Sequence, residues 1–430
     1  MTSPLRIAVA GLGTVGAGTL TLLHTHAAAI AEKCGRPIQV IAVSARDKSR
    51  DRGVDLSGMT WFDDAVEMAR AADADVVVEL VGGEDGPAKA ICEAAISAGR
   101  SVVTANKALL AVHGTDLARD AEAAGLAIGY EAAVAGGIPI VKAMREGLAA
   151  NTITRIYGIL NGTCNYILTE MRLTGRAFDD VLAEAQSLGY AEAEPSVDVD
   201  GIDAAHKLAI LASLAFGAQV DFDGVYVEGV RAVAPLDIEF ADTLGYRIKL
   251  LGSARLTADG LEQRVHPCMI DKDSAIAHVE GVFNAVVVVG DFVDDTMFEG
   301  KGAGAGPTAS AVVADLMDLA AGRRAPTFAV PAERLVKLDR ASMERHRGAY
   351  YIRLAVADRP GVIAGVTAAF RDQQVSIESM IQQGRSETEA VPVVLTVHET
   401  TEASMRSALE IIGHMDEVVE APHMIRIEPL

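Results

Sequence analysis

The sequence Leu5-Arg6-Ile7-Ala8-Val9-Ala10-Gly11-Leu12-Gly13-Thr14-Val15-Gly16 reads as a buried strand, a glycine turn and the start of a helix. Each glycine has a separate physical role. Gly11 permits the tight turn, Gly13 lets backbone approach a pyrophosphate, and Gly16 lets helix and strand pack closely. The helix begins at Thr14 and Val15, where unsatisfied N–H groups and the helix dipole favour an anion. A dinucleotide suits this arrangement.

From there to about Tyr130 the pattern alternates. Ile7–Ala10, Ile38–Val43, Val76–Val81, Ser101–Thr104 and Leu126–Tyr130 are apolar runs, with Ala-rich segments of helical spacing between them. Strands apolar on both faces belong to a parallel sheet covered by helices. Residues 1–135 are therefore expected to form a doubly wound, Rossmann-like α/β domain.

The texture changes at Asn151. Thr152–Leu160, Arg247–Leu256, Leu261–Ile270 and Asn284–Phe292 read as strands, and Phe178–Leu188 and Ile202–Phe216 as helices. Ala258-Asp259-Gly260 is a hairpin signal. An α+β domain with a mixed or mostly antiparallel sheet is expected over 136–304. A helix predicted over Pro307–Ala321 packs back onto the first domain, which residues 305–335 complete. The charged, breaker-rich stretch Arg323–Gly348 behaves like a linker, delimited as 336–348. Beyond it, a βαββαβ order over 349–430 predicts a ferredoxin-like unit.

The second strand ends Val43-Ser44-Ala45-Arg46-Asp47-Lys48. A carboxylate here would meet the ribose hydroxyls of NAD, but Ser44 and Ala45 occupy the region and Arg46 and Lys48 lie nearby. The cofactor is thus NADP or NAD, with a slight lean to NADP. A second glycine cluster, Gly300-Lys301-Gly302-Ala303-Gly304-Ala305-Gly306-Pro307-Thr308, precedes a helix. It is not a P-loop, because no Ser or Thr follows Gly300-Lys301 and no strand is expected to lead in with the right spacing. It is either a flexible loop or one whose backbone, around Gly304, closes over the nicotinamide end.

Gly189-Tyr190-Ala191-Glu192-Ala193-Glu194-Pro195-Ser196-Val197-Asp198-Val199-Asp200-Gly201-Ile202-Asp203 crowds five carboxylates into a short loop ending in a helix, and Lys207 follows Asp203 by one turn. That spacing puts both side chains on one helix face. The cluster either holds the ammonium group of an amino-acid-like ligand beside a proton-donating lysine, or is a solvated loop with an intrahelical ion pair. Glu192 and Asp198 suit an ammonium, because a buried charge is tolerated only when paired. His206 points elsewhere on the helix and reads as structural. Backbone N–H groups near Asn161–Thr163 can meet a substrate carboxylate.

With Thr104-Ala105-Asn106-Lys107 and Asn161-Gly162-Thr163-Cys164-Asn165-Tyr166-Ile167, these features closely resemble homoserine dehydrogenase over residues 5 to about 335. The tail, with Asp358-Arg359-Pro360-Gly361-Val362, looks like an ACT domain, the small amino-acid-sensing module. The arrangement resembles the monofunctional bacterial enzymes that carry such a tail. The resemblance implies reversible NAD(P)H-dependent reduction of L-aspartate 4-semialdehyde to L-homoserine, on the route to threonine, methionine and isoleucine. It assigns residues 136–304 to substrate binding and dimerisation.

The same resemblance distributes the roles. Lys207 is the proton donor, Asp203 orients it, and Lys107 is a catalytic or orienting group beside the cofactor. Gly189, Glu192 and Asp198 bound the substrate. Gly11, Gly13, Thr14, Val15, Gly16, Arg46, Lys107 and Gly304 bound the cofactor. A sodium ion is implied near the hinge, on Glu131, Val134, Gly136 and Ile138, largely through backbone carbonyls. Asp358, Arg359, Pro360 and Gly361 would receive an effector, threonine by pathway logic, and a homodimer or homotetramer is expected. Cys164 stands where many relatives have Thr, and Glu194 where Asp commonly precedes the proline. Two other readings share these residues: a dehydrogenase of another amino-acid-derived aldehyde, and a cofactor-binding amino-acid sensor without turnover.

Composition narrows the rest. A formal charge of −21 argues against nucleic acid as a bulk partner. Cys34, Cys92, Cys164 and Cys268 lack metal-ligand spacing and fit a reducing compartment. No secretory pattern opens the chain, and no apolar run reaches the roughly 18 residues of a membrane span. A cytoplasmic protein with no membrane partner is expected.

Overall fold

Six parallel strands form the first sheet: β1 (Leu5–Ala10), β2 (Ile38–Ser44), β3 (Thr60–Phe62), β4 (Val76–Glu79), β5 (Ser101–Thr104) and β6 (Ile128–Gly129). Their spatial order, β3-β2-β1-β4-β5-β6, reverses direction of travel beside β1, as a doubly wound sheet does. The structure is a computed structural model and describes residues 3–382, 384, 386 and 389–430. One face of this sheet is covered by helices bearing Met68, Ile91 and Leu110. The other packs on Leu20 and Leu23 of the Thr14–Thr25 helix and on Val312 and Leu316 of the Ala305–Ala320 helix. The Ala305–Ala320 helix packs against the Thr14–Thr25 helix, and Gly18 lets it approach: a Cβ there would meet the Ala305 carbonyl oxygen at 3.0 Å. β3 is a three-residue strand too short to show a period, and β6 is shorter than the apolar run around it.

The remaining strands are β7 (Ile153–Ile159), β8 (Val225–Val227), β9 (Tyr246–Thr257), β10 (Gly260–Asp271), β11 (Phe283–Gly290), β12 (Asp294–Lys301), β13 (Arg347–Ala357), β14 (Ile377–Gln382), β15 (Ala390–Thr401) and β16 (His423–Glu428). They make one sheet in the order β12-β11-β7-β9-β10-β16-β13-β15-β14, and β8 also pairs with β10. The tail has the ferredoxin-like order, its helices Val362–Asp372 and Glu402–Gly413 packing on one face. β16 runs parallel to β10, Cys268 opposite Arg426, so the tail's sheet continues that of the central unit.

Two expectations change. β12 was not read, yet it leads directly into the glycine cluster, with Gly300 and Lys301 at its end. It is a half-exposed edge strand rich in carboxylates, without the alternation that marks a covered strand. The stretch read as a linker is bonded to β10: Leu261 donates to the Asp339 carbonyl at 2.8 Å, Ala341 donates to that of Leu261 at 3.0 Å, and Arg340 pairs with Asp221. His346 is buried beside Glu262, whose carboxyl lies at about 2: burial opposes this, and the His346 and Arg264 partners prevail.

Buried ion pairs fill the joint between tail and central unit. Arg264 donates to both oxygens of Glu428, and Arg426 donates to Glu402 at 3.0 Å and to Glu228 at 2.9 Å. His266, Cys268 and Glu428 converge there too. Two guanidinium groups face them, which disfavours a metal cation. No helix among the described residues is long and apolar enough to cross a membrane.

Candidate active site

The glycine turn behaves as its sequence requires. Gly11 has φ +95°, and a Cβ on it would lie 2.5 Å from the Leu80 carbonyl oxygen; one on Gly16 would lie 2.1 Å from that of Gly11. A Cβ on Gly13 would meet nothing within 4 Å. Gly13 therefore borders open space at the head of a helix that no side chain caps, a fit for a pyrophosphate. The Ser44 carbonyl accepts the Gly11 N–H, and Arg46 is exposed just beyond it.

Lys107 is placed by a chain of polar contacts. The buried Glu79 carboxylate accepts from the Thr104 hydroxyl at 2.6 Å, and the Thr104 hydroxyl oxygen accepts the Asn106 N–H. Asn106 caps the Lys107–Ala123 helix through Leu109 N–H, which leaves Lys107 in the first turn beside the cleft.

The Ile202–Phe216 helix is buried almost throughout, so its Ala- and Leu-rich surface meets protein on every side. Gly201, in the left-handed region at φ +88°, starts it abruptly after the acidic loop. Asp203 and Lys207 follow on one face. Lys207 Nζ lies 2.7 Å from Asp203 Oδ2 and 2.7 Å from the Leu160 carbonyl oxygen. Lys107 Nζ lies 3.0 Å from Asp203 Oδ1. One buried carboxylate thus holds two lysines. Burial opposes its ionisation, but the lysines win and keep Asp203 well below the ordinary carboxylate range. Asp203 in turn pushes Lys107 up.

Asn161, not singled out by its side chain in the sequence, connects the cluster. Its Nδ2 donates to Asp198 Oδ1 and to Asp203 Oδ2, both at 2.8 Å, while its Oδ1 caps the Gly162–Thr174 helix at Cys164 N–H. Burial and then Asp203 raise Asp198, and the Asn161 bond opposes them. Cys164 gives its thiol to the Asp198 carbonyl at 3.2 Å. The Tyr190 carbonyl accepts from Thr163, which ties the acidic loop over the same helix start.

The lysine–carboxylate cluster lines one cleft of about 630 Å³, and of residues 11–16 Val15 is in its lining while Gly11, Gly13, Thr14 and Gly16 are not. It gathers Val15, Lys107, Gly136, Gly189, Glu192, Asp198, Asp203, Lys207 and Gly304, together with Asn161 and Asn284. Glu192 sits exposed on its rim. Arg46 is not in its lining, and Asp358, Arg359, Pro360 and Gly361 lie in the tail, where Gly361 at φ +98° begins the Val362–Asp372 helix. His206 turns away from the cleft and lies 4.4 Å, ring to ring, from Phe222.

Glu131 sits at the hinge with Val134, Gly136 and Ile138. Its two oxygens accept the N–H groups of Val141 and Lys142, each at 2.9 Å. Burial, then Asp315, pushes its carboxyl up to about 7. Lys142, paired with Asp315 and Asp318, is the nearby cation. A buried carboxylate next to a second one, with backbone carbonyls close in sequence, is a donor set suited to a hard monovalent cation.

Comparisons with known proteins place the chain in a family. Residues 139–317 match the family described as homoserine dehydrogenase, 11–131 its NAD binding domain, and 350–414 the ACT domain. The homoserine dehydrogenase of Pseudomonas aeruginosa is 45% identical, with 99% of each chain covered. The crystal structure of a homoserine dehydrogenase from Thiobacillus denitrificans superposes with a TM-score of 0.93 at 44% identity, covering 99% of this chain and 98% of that one. A hyperthermophilic archaeal homoserine dehydrogenase, solved in complex with NADPH, has a TM-score of 0.63 at 26% identity and covers 74% of this chain and 97% of its own. The chain therefore has a nicotinamide-nucleotide-binding domain and an ACT domain, and it belongs to the homoserine dehydrogenase family.

Proposed function

We propose that this chain catalyses the reversible NAD(P)H-dependent reduction of L-aspartate 4-semialdehyde to L-homoserine. The observation that carries the reading is the Lys207 ammonium, held by Asp203 and the Leu160 carbonyl, in a cleft whose lining also takes in Val15 at the start of the helix after the glycine turn. Bound at that turn, NAD(P)H supplies the hydride to the aldehyde carbon. Lys207 meets the negative charge that grows on the aldehyde oxygen and gives that oxygen a proton. Asp203 holds the ammonium in place. Lys107 adds positive field from the cofactor side. Asp198 and Glu192 face the substrate ammonium, and the start of the Gly162–Thr174 helix offers N–H groups to its carboxylate.

Finer features belong to the same proposal. NADP is favoured slightly, because Ser44 ends β2 where a ribose-binding carboxylate would stand and Arg46 is exposed beside it. Sodium would rest on Glu131 and the carbonyls of Val134, Gly136 and Ile138, offsetting the paired buried carboxylates Glu131 and Asp315. Threonine would bind the tail at Asp358–Gly361, and the product would serve threonine, methionine and isoleucine synthesis in the cytoplasm of the cell, from a homodimer or homotetramer. The deciding assay follows NADH and NADPH absorbance separately with homoserine and with aspartate semialdehyde, with and without threonine. Absence of turnover with both pairs would remove the reading.

A further inference from the structure

Asn284, the second residue of β11, carries a carboxamide that the chain's own hydrogen bonding leaves aside. Its side chain is 1% exposed, yet neither Nδ2 nor Oδ1 has a partner among the described residues. Buried amides are rarely left so, since each unpaired group keeps its desolvation cost. The residue lines the cleft. Two glycines fix its place. A Cβ on Gly302 would fall 2.2 Å from Nδ2 and 2.6 Å from Oδ1, and one on Gly162 would fall 3.3 Å from Oδ1. Gly302 belongs to the loop that leads into the Ala305–Ala320 helix, and Gly162 opens the helix on the substrate side. The amide therefore stands at the seam between the cofactor half and the substrate half.

The donor and acceptor together choose the ligand. A carboxylate would satisfy Nδ2 and leave Oδ1 unpaired, and an ammonium would do the reverse. A primary carboxamide presents one acceptor and one donor side by side in a plane. It pairs with another carboxamide through two hydrogen bonds in either orientation of the Asn amide. We propose that Asn284 binds the carboxamide of the nicotinamide ring and thereby fixes which face of the ring turns toward the substrate. This inference rests on the dehydrogenase reading above and adds to it the residue that orients the ring. Gly302 is then a glycine because any side chain would fill the space of the amide.

The test is calorimetric titration of the full chain, without substrate, with NADPH and with the reduced 3-acetylpyridine analogue. The analogue's methyl ketone keeps the acceptor and loses the N–H donor. The wild-type chain should prefer NADPH by roughly 10-fold, the worth of a hydrogen bond in a buried site. Asn284→Ala and Asn284→Ser should bind the two within about twofold of each other. Discrimination kept by both variants overturns the proposal, as does its absence from the wild-type chain, a comparison that needs no variant to fold. Variants whose only change is a raised KM for homoserine also overturn it, since the amide would then serve the substrate's head group. Failure of the wild-type chain to bind either cofactor would remove the dehydrogenase reading itself, whereas binding without discrimination removes Asn284's role alone.

Discussion

Lys107 Nζ lies 3.0 Å from Asp203 Oδ1, so two helices that begin in different halves of the molecule meet in a single ion pair at the floor of the cleft. Lys107 opens a helix of the dinucleotide-binding half, and Asp203 lies in the first turn of a helix in the other half. The lysines are unlike: Lys107 is partly open to solvent, whereas Lys207 is buried. Under the proposed mechanism the buried one faces an oxygen from which water is excluded. Lys207→Ala should lower kcat by about 10²–10⁴, the usual worth of a positioned acid together with its electrostatic field. Lys107→Ala should cost less in kcat and should weaken cofactor binding as well. Steady-state rates from NADPH absorbance would check both. A Lys207→Ala chain that is folded and retains most of its rate would contradict the assigned role.

Asn161 separates two carboxylates that would otherwise repel. Removing its amide should raise Asp198 further, because the Asn161 hydrogen bond opposes the burial and the Asp203 charge that already raise it. Asp198 must be ionised to attract an ammonium, so protonation weakens binding as pH falls. Asn161→Ala should raise KM for homoserine by about 10-fold and move the acid limb of kcat/KM to higher pH. A rise in KM with an unmoved acid limb would break the link to Asp198.

Gly11 and Gly13 make opposite predictions. Gly11→Ala forces a Cβ to 2.5 Å from a carbonyl oxygen in a left-handed conformation and should lower Tm sharply. Gly13→Ala meets no protein atom, so Tm should stay close to that of the wild-type chain while affinity for NADPH falls at least 10-fold. Thermal unfolding and calorimetric titration of the two variants would show whether the open space is used by a ligand.

Glu131 gives the stability a sign with pH. Its carboxyl titrates near 7 in the folded chain, against an ordinary 4.5. Between those values the native state keeps a proton that the unfolded state has lost, so stability falls as pH rises across the window and stays lower above it. Linkage puts the fall at roughly 3 kcal/mol. Glu131→Gln, neutral in both states, should lack it. A bound sodium ion favours the ionised carboxylate, so Tm at pH 8 should be higher in sodium chloride than in tetramethylammonium chloride at equal ionic strength. Equal values in the two salts would argue against sodium at this hinge.

Arg426 is the main cationic partner of Glu402, which is fully buried at the joint with the tail. Arg426→Met leaves that carboxylate with the half-exposed Arg406 as its remaining cation and should destabilise the chain by up to about 3 kcal/mol, whereas Arg426→Met with Glu402→Gln should recover much of the loss. The same guanidinium reaches Glu228, two residues before Val230, whose N–H bonds to the Val199 carbonyl next to Asp198. Urea unfolding monitored by circular dichroism would measure the pair.

Most of the architecture was legible because it rests on local signals. Both-faced apolar runs marked the parallel strands, and the Gly-x-Gly-x-x-Gly turn marked the first crossover. Asp203 and Lys207 could be paired from spacing alone, since a helix fixes which residues share a face. Asn161 and Asn284 were not legible as site side chains. Asn161 carries a capping signal, but that its amide faces two carboxylates depends on residues some forty positions away. Asn284 lies in an apolar strand and acquires its position only when β11 passes Gly162 and Gly302. The stretch before β13 was misread for another reason. Its bonds to Leu261 are made by backbone, which leaves no side-chain pattern to find.

β16, the latest strand in the sequence, occupies the middle of the second sheet between β10 and β13. A ribosome that stops before residue 423 would release a chain in which β10 and β13 each keep an unpaired edge in the middle of the sheet, so the central unit and the tail are joined only when the last strand is made. Premature termination here should yield an aggregating or rapidly degraded product instead of an unregulated enzyme.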